Sequence, residues 1–208
     1  MFKLVIGNKN FSSWSLRPWL VLKMLDEPFE EQMISLRKPE TSAHILALNP
    51  AGTVPLLYDR NLKISDSLAI CEYLAECFPH AGLWPVGSSE RAQARSLVAE
   101  MHAGFHALRQ HLSMDVSGRH PKPTGDNALA RDIERIIAIW QEQRRLFEAH
   151  GPFLFGHFTI VDAFFAPVVT RFATYQFELP EAAQAYSQHI LSLAPMREWA
   201  NAAAAELG

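Results

Sequence analysis

The stretch that most constrains the fold is residues 6–19, which join an apolar segment to a second apolar segment through Ser12, Ser13 and Ser15. Pro18 lies within the second segment. Proline lacks an N–H and clashes with the carbonyl four residues earlier, so it fits best in the first turn of a helix. We therefore predict a helix that begins near Ser15, a good N-cap residue, with Ser12 and Ser13 in the loop ahead of it.

A loop of this kind, placed between a strand and the start of a helix, favours an anion. Backbone N–H groups and the positive end of the helix dipole converge there. A serine hydroxyl beside them can donate a hydrogen bond to a thiolate, a carboxylate or a phosphate. On this stretch alone, the favoured alternative is that the serines only cap the helix.

Composition excludes several classes of protein. The chain has 208 residues, of which 49% are hydrophobic, and this length suits two small domains with a real core. The net charge of −3 and the lack of a basic stripe argue against nucleic acid as a partner, and no apolar run is long enough to span a membrane. We see no signal peptide, and Cys71 and Cys77 are badly spaced for a disulfide, so we expect a reduced, cytoplasmic protein.

The first part of the chain alternates between strand and helix patterns. Strands are predicted at residues 2–6, 29–34, 53–58 and 62–64, and helices at residues 15–26, 44–48 and 68–78. This order predicts an α/β unit with a mixed four-stranded sheet over residues 1–78. Residues 79–87, with two prolines and two glycines, are predicted to be a linker.

The second part, residues 88–208, shows no convincing strand. Helices are predicted at residues 90–114, 128–150, 159–175, 181–193 and 195–207, and the third of these is almost wholly apolar and therefore buried. Thr159 and Asp162 predict a capping box at its start, which is a structural role. The fold class is thus α/β followed by an all-helical domain.

A second group of candidate residues should meet the serine loop at one end of the sheet. Pro55 begins a predicted strand and is a candidate for a cis peptide bond. We expect the backbone N–H and C=O of Val54 to be free to pair with an extended peptide. Asp66 and Ser67 open the third predicted helix and could hold the amine and the carboxylate of an amino-acid head group.

These residues carry a resemblance to the glutathione transferases over the whole chain. The match consists of four motifs in order: S-S-W-S-L-R, N-P-A-G-T-V-P-L-L, S-D-S-L-A-I-C-E-Y-L and G-H-F-T-I-V-D-A. Each motif is loose, but four at the expected separations are specific. The serine loop looks most like the zeta class and related bacterial enzymes.

The resemblance implies a thioredoxin-like N-terminal domain, a helical C-terminal domain, a homodimer and glutathione as co-substrate. It implies that Ser12 faces the sulfur and that a small hydrophobic electrophile binds between the domains. The residues that it implies for binding glutathione are Ser13, Thr53, Val54, Pro55, Asp66 and Ser67, with Lys38 and His44 as candidates for its glycine end.

Two departures weaken a maleylacetoacetate isomerase interpretation: Trp14 replaces the cysteine of the zeta loop, and Thr174 stands where we expect an arginine. Isomerisation and peroxide reduction on the same thiolate stay open, as does a non-catalytic binding protein. His102 and His106 have a spacing that can bind a metal, but no third ligand is evident. We therefore favour the solvated surface for both, with a position lining the substrate cleft as the next alternative, and we predict no metal site.

Overall fold

The computed structural model describes residues 1–124 and 126–206. Its first part contains four strands and three helices in the predicted order. These are β1 (Phe2–Gly7), α1 (Ser13–Met24), β2 (Phe29–Ile34), α2 (Thr41–Leu48), β3 (Leu56–Asp59), β4 (Leu62–Ser65) and α3 (Ser67–Cys77). The sheet order is β2-β1-β3-β4, with β1 parallel to β2 and the other neighbouring pairs antiparallel, so the predicted mixed sheet is confirmed.

The sheet is covered by helices on both faces, which explains why β1 is apolar apart from Lys3. Leu4, Val5 and Ile6 are all fully buried. Val5 packs in a small cluster with Ile34 and Ile45, while Leu4 and Ile6 belong to the main core that continues into the helical part. The carboxyl end of β1 therefore leads directly into the serine loop from a rigid base.

The second part is helical, as predicted. It contains α4 (Ser88–Ala103), α5 (His106–His111), α6 (Asn127–Phe147), a single 3-10 turn (Glu148–His150), α7 (Ile160–Thr174), α8 (Glu181–Ser192) and α9 (Ala194–Ala205). In the described part of this half, only two isolated β-bridges occur outside the helices and turns. Leu207, the predicted end of the last helix, lies outside the described residues.

Helix α7 is the central element of the helical part and packs against α1, α4 and α8. Nearly all its residues are buried. The predicted capping box at its start is confirmed: Asp162 Oδ2 accepts hydrogen bonds from the Thr159 N–H at 2.9 Å and from the Thr159 hydroxyl at 3.1 Å. Packing of α1 on α7 joins the two parts of the chain through one continuous core.

Two helix predictions are wrong. Helix α1 begins at Ser13, and Pro18 lies inside it, because the Leu16 N–H closes the first turn on the Ser12 carbonyl ahead of the proline. The helix predicted at residues 90–114 divides into α4 and α5 at Gly104, where a Cβ would lie 2.8 Å from the Glu100 carbonyl oxygen. Phe105 follows with a φ of 57°, which no regular right-handed helix contains.

The division into residues 1–78, 79–87 and 88–208 stays a prediction, and its last two residues lie outside the described part. Within residues 1–124 and 126–206, no helix has the length and apolar character needed to cross a membrane.

Candidate functional site

The serine loop ends in a pair of bonded hydroxyls. Ser12 occupies the N-cap position of α1, which corrects the assignment of that position to Ser15. The Ser12 hydroxyl donates to the Ser15 hydroxyl at 2.7 Å, and Ser15 Oγ also accepts the Gly7 N–H at 3.1 Å. Ser12 and Ser13 are both buried, and α1 has no acidic residue in its first turn. The positive end of its dipole is therefore not neutralised from within the first turn.

The loop ahead of Ser12 is held in place by the far end of the chain. The carboxylate of Glu206 accepts the N–H of Lys9 at 2.7 Å and that of Asn10 at 3.1 Å. The Trp199 indole donates to the Lys9 carbonyl at 2.8 Å, and Asn10 Nδ2 donates to Asp115 at 2.8 Å. Residues of the second, helical part of the chain thus hold a loop of the α/β part in place. No local sequence pattern indicates these contacts.

A cavity of about 190 Å³ lies beside the first turn of α1, and its lining contains most of the predicted ligand-binding residues. It is lined by Trp14, Thr53, Val54, Pro55, Asp66 and Ser67. The Val54–Pro55 peptide bond is cis, as predicted. Val54 lies two residues before Leu56, the first residue of β3, and takes no part in the strand pairing. Its backbone groups therefore face no neighbouring strand.

Asp66 joins the N-cap of α3 to the cavity. Its Oδ1 accepts the N–H of Leu68 at 2.8 Å and of Ala69 at 3.2 Å. Its Oδ2 lies 3.3 Å from His102 Nε2 of α4. The backbone of Asp66 has a φ of 78°, a left-handed conformation that costs a non-glycine residue about 1–3 kcal/mol. Such strain at a cavity wall is typical of functional sites.

Ser67 is buried beneath the cavity and receives a hydrogen bond from Arg17. Arg17 Nη1 donates to Ser67 Oγ at 3.2 Å, and the guanidinium stacks between Trp14 at 4.1 Å and Phe164 at 4.4 Å. Because Oγ already accepts from Arg17, the hydroxyl proton of Ser67 is available to a ligand. As the first residue of α3, Ser67 also offers a backbone N–H without an intrahelical acceptor.

Arg17 carries a buried positive charge that has no carboxylate partner in the described part of the chain. Its Nε also has no hydrogen-bond partner there. Burial, together with the nearby Arg109 and Arg171, holds the pKa of Arg17 well below its usual range. The site therefore has an excess of positive charge, which a bound anion would offset.

The helical part contributes His102 and Arg109 to the rim of this site. Arg109 donates to the carbonyls of Gly104 and Met101 at the break between α4 and α5, and it lies 4.8 Å from the Trp14 ring. Burial lowers the pKa of His102 more than the neighbouring Asp66 raises it. His102 is thus a partly buried imidazole beside Asp66. The favoured placement on the solvated surface is wrong, and the alternative, a position at the substrate cleft, stays a prediction.

Among the described residues, no group of three His, Cys, Asp or Glu side chains could hold a metal. His106 lies beyond the break at Gly104, so it does not share a helix face with His102. A larger hollow of about 500 Å³ lies elsewhere, and its lining is mostly charged. Lys9 pairs with Glu31 and Lys23 with Glu198, and the two remaining charged residues of the lining, Asp26 and Glu27, are acidic. This hollow therefore does not offer an anion the positive charge that the site around Ser67 offers.

Comparison with known proteins agrees with the fold. Residues 11–77 match the model of the glutathione S-transferase N-terminal domain, and residues 91–204 match that of the C-terminal domain. The chain belongs to the glutathione S-transferase family. A solved relative of this family is a glutathione transferase homolog from Burkholderia with bound glutathione, which has a TM-score of 0.72 and 22% identity and covers 98% of each chain.

The curated relatives of this family member carry several kinds of name, one of which is glutathione S-transferase 1, from Dianthus caryophyllus, at 42% identity over 90 residues, covering 41% of this chain and 40% of the relative. A stringent starvation protein A homolog from Haemophilus ducreyi is 30% identical over 154 residues, covering 73% of this chain and 66% of the relative. A probable maleylacetoacetate isomerase from Caenorhabditis elegans is 34% identical over 96 residues, covering 46% and 44%. The matched segments thus span less than two thirds of these relatives, and the isomerase agrees with the resemblance to the zeta class.

The structure of this transferase family member brings five predicted ligand-binding residues together: Thr53, Val54, Pro55, Asp66 and Ser67. It does not place Ser12 or Ser13 in the cavity lining, although both directly precede Trp14 at the start of α1. Lys38 is exposed and lies outside the lining, and its backbone N–H donates to Thr41. Sequence reasoning assigned no role at this site to Trp14, Arg17 or Arg109; for Arg17 the S-S-W-S-L-R motif itself was the available signal.

Proposed function

We propose that this protein is a cytoplasmic glutathione transferase that conjugates the glutathione thiolate to a small hydrophobic electrophile. The observation that carries the proposal is the cavity in which Val54, Asp66 and Ser67 lie beside the first turn of α1. It combines a backbone segment without a strand partner, a carboxylate and a helix N-terminus, which suit a peptide with a free amino-acid head group.

In this proposal, the γ-glutamyl end of glutathione and the peptide that follows it have partners in the chain. The amine of the γ-glutamyl end binds Asp66 Oδ2. The α-carboxylate of the same γ-glutamyl group accepts hydrogen bonds from the hydroxyl and the backbone N–H of Ser67. The peptide pairs with the backbone of Val54 next to Thr53 and Pro55. Arg17 fixes the Ser67 hydroxyl as a donor and supplies positive charge to the anionic ligand. Lys38 and Ser13 stay predictions for further contacts.

Ser12 is proposed to stabilise the thiolate, which is the nucleophile. A free thiol has a pKa near 8.5, so most glutathione is protonated at neutral pH. When sulfur arrives, the bond between the two serines can reverse, since each hydroxyl can donate or accept. Ser15 then donates to Ser12 while accepting from Gly7, and the Ser12 proton is free for the sulfur. Such a chain of hydrogen bonds favours the anion.

The electrophile is proposed to bind at the rim formed by Trp14, His102 and Arg109, which both parts of the chain supply. The thiolate attacks it there, and a new carbon–sulfur bond forms as the leaving group departs or the acceptor takes up a proton. A turnover screen of glutathione with aryl halides, epoxides, peroxides and maleylacetoacetate tests the proposal. Conjugation of an aryl halide or epoxide is the expected result, and no turnover of any class would contradict it.

Two alternatives keep the same glutathione site. Isomerisation is favoured by the relative named as a maleylacetoacetate isomerase. A non-catalytic glutathione-binding protein is the alternative from another class, and the relatives named stringent starvation protein A homologs, whose name states no transferase activity, favour it. Retention on immobilised glutathione without turnover would support this second alternative.

We predict weak or no maleylacetoacetate isomerase activity. At the position where the zeta enzymes suggest an arginine, Thr174 is buried and its hydroxyl donates to the Asp115 carbonyl at 2.7 Å. It therefore offers the substrate no positive charge. Initial rates with maleylacetoacetate and glutathione should fall well below those with the best electrophile of the screen, and efficient isomerisation would contradict the alignment of Thr174 with that arginine.

We also predict a homodimer, from membership of the family. Multi-angle light scattering at micromolar concentration should give a mass of twice the 23.4 kDa of one chain. A stable monomer across that concentration range would contradict this prediction.

A further inference from the structure

A second cavity, of about 180 Å³, lies in the helical part of the chain, between α7, α8, α9 and the segment that follows α5. Its inner walls are apolar and include Val116, Leu191, Met196 and Trp199. None of its lining residues belongs to the lining of the cavity at Val54 and Ser67. It is therefore a separate site.

The walls of this cavity are held rigidly. Trp199 is fully buried, its indole N–H donates to the Lys9 carbonyl at 2.8 Å, and its ring packs edge-on against Trp19 at 4.9 Å. The Val116 N–H donates to the Asn10 carbonyl at 3.2 Å. The hydroxyl of Thr170, also in the lining, donates to the Pro167 carbonyl. The space is thus largely preformed, which lowers the cost of binding.

The size of the cavity suits one aromatic ring. An apolar protein cavity of about 150 Å³ is known to bind benzene. A volume of 180 Å³ leaves room for a small substituent on such a ring. An apolar wall without a free donor or acceptor would give an aliphatic or aromatic group a better environment than water.

The charge at the mouth of the cavity is positive. Arg119 and Arg197 both contribute to the lining and are exposed, whereas the lining contains no Asp or Glu. Within residues 1–124 and 126–206, neither arginine forms an ion pair, and Arg119 donates only to the neighbouring Gly118 carbonyl. An anionic group on the ring would offset these two charges, and a planar carboxylate matches the guanidinium geometry.

We propose that this cavity binds a small aromatic carboxylate, with the ring among Val116, Leu191 and Trp199 and the carboxylate at Arg119 and Arg197. The proposal does not rest on the proposed transferase function, because the two cavities share no residue.

The test is a calorimetric titration of phenylacetate into the full chain with glutathione present in excess, which fills the cavity at Val54 and Ser67 but leaves the rim at Trp14 open; the variants described below separate that rim from the second cavity. We expect one site per chain with a Kd on the order of 0.1–1 mM for a ligand of this size. Phenylacetamide, which has the same shape and no charge, should bind at least fivefold more weakly. Equal affinity for the two compounds, or no heat at 10 mM ligand, would overturn the proposal.

Variants locate the binding. Arg119→Gln and Arg197→Gln should each weaken phenylacetate binding by about two- to fivefold, since exposed ion pairs are individually weak. Arg131→Gln, an exposed arginine of α6, is the matched control and should change nothing. Ala200 and Ala173 are lining residues, so Ala200→Leu and Ala173→Leu should each fill part of the cavity and abolish binding. Circular dichroism shows which of these two variants is folded. Undiminished binding to a folded filled variant would overturn the assignment to this cavity.

Discussion

Replacing Ser12 with alanine should raise the pKa of the thiol of bound glutathione by about one to two units and lower conjugation near pH 7 by roughly tenfold or more. The substitution removes the one hydroxyl proton that the serine pair can direct at the sulfur. A hydrogen bond to a charged group contributes about 1.5–3 kcal/mol, which sets this range. Conjugation should recover partly at higher pH, where the thiol ionises without help. Glutathione affinity should change less, because Val54, Asp66 and Ser67 hold the rest of the ligand.

The matched control for this prediction is Ser13→Ala, the neighbouring buried serine. It should leave the thiol pKa unchanged and cost at most about 1 kcal/mol of stability at the start of the helix. Ser15→Ala should produce a smaller shift than Ser12→Ala, because it removes the link to the Gly7 N–H. The absorbance of the thiolate of bound glutathione, recorded as a function of pH, gives the thiol pKa in all three variants. If the thiol of bound glutathione has the same pKa in Ser12→Ala as in the wild type, the role assigned to Ser12 is wrong. If its pKa rises in Ser13→Ala instead, Ser13 and not Ser12 is the donor to the sulfur.

Replacing Asp162 with alanine should lower the free energy of unfolding by about 3–5 kcal/mol. Besides its two bonds from Thr159, the buried carboxylate accepts the Leu154 N–H at 3.1 Å and the Tyr186 hydroxyl at 3.2 Å. Alanine leaves these donors buried without an acceptor. Urea unfolding measures the loss. Asp126→Ala, which removes an ordinary N-cap at the partly exposed start of α6, should cost only about 1 kcal/mol. Equal losses for the two variants would contradict the account.

The stability loss of Asp162→Ala should also depend on pH. Burial raises the pKa of Asp162 to about 6, above its ordinary value of 3.8 in the unfolded chain. The folded state therefore holds a proton between these values that the unfolded state releases, so the contribution of Asp162 to stability falls as pH rises from about 4 to 6. The loss should be about 1 kcal/mol larger at pH 5 than at pH 7. A loss that grows with rising pH would contradict this pKa.

The features that the sequence predicted correctly are those that local chemistry decides. The succession of strands and helices along the first part of the chain, the cis bond at Pro55 immediately before β3 and the Thr159–Asp162 capping box depend on residues close together in the chain. The break at Gly104 was missed because glycine is tolerated in a helix, and only the packing of Arg109 on the two freed carbonyls fixes it there. The roles of other residues at the site escaped for a similar reason. His102 and Arg109 meet Trp14 only through tertiary contacts, and Arg17, which is on the same helix as Trp14, meets Ser67 and Phe164 in that way.

The start of α1 shows the limit of a rule applied alone. Pro18 favoured a helix that starts at Ser15, yet the chain forms its first turn two residues earlier and gives up the hydrogen bond to the Trp14 carbonyl. The buried pair of serines and the packing of α1 on α7 offset this loss. The predicted roles of Ser12 and Ser67 therefore rest on the family and on the geometry of the cavity, and they need a direct measurement.

The most direct measurement is a calorimetric titration of glutathione into the wild-type protein, into Ser67→Ala and into Ser42→Ala, an exposed serine of α2 that serves as control. The account predicts one binding site per chain in the wild type and in Ser42→Ala. It predicts binding weaker by about ten- to a hundredfold in Ser67→Ala, because that variant loses a charge-assisted hydrogen bond to the γ-glutamyl carboxylate. No binding to the wild-type protein, or equal affinity in all three, would contradict the assignment of this cavity to glutathione.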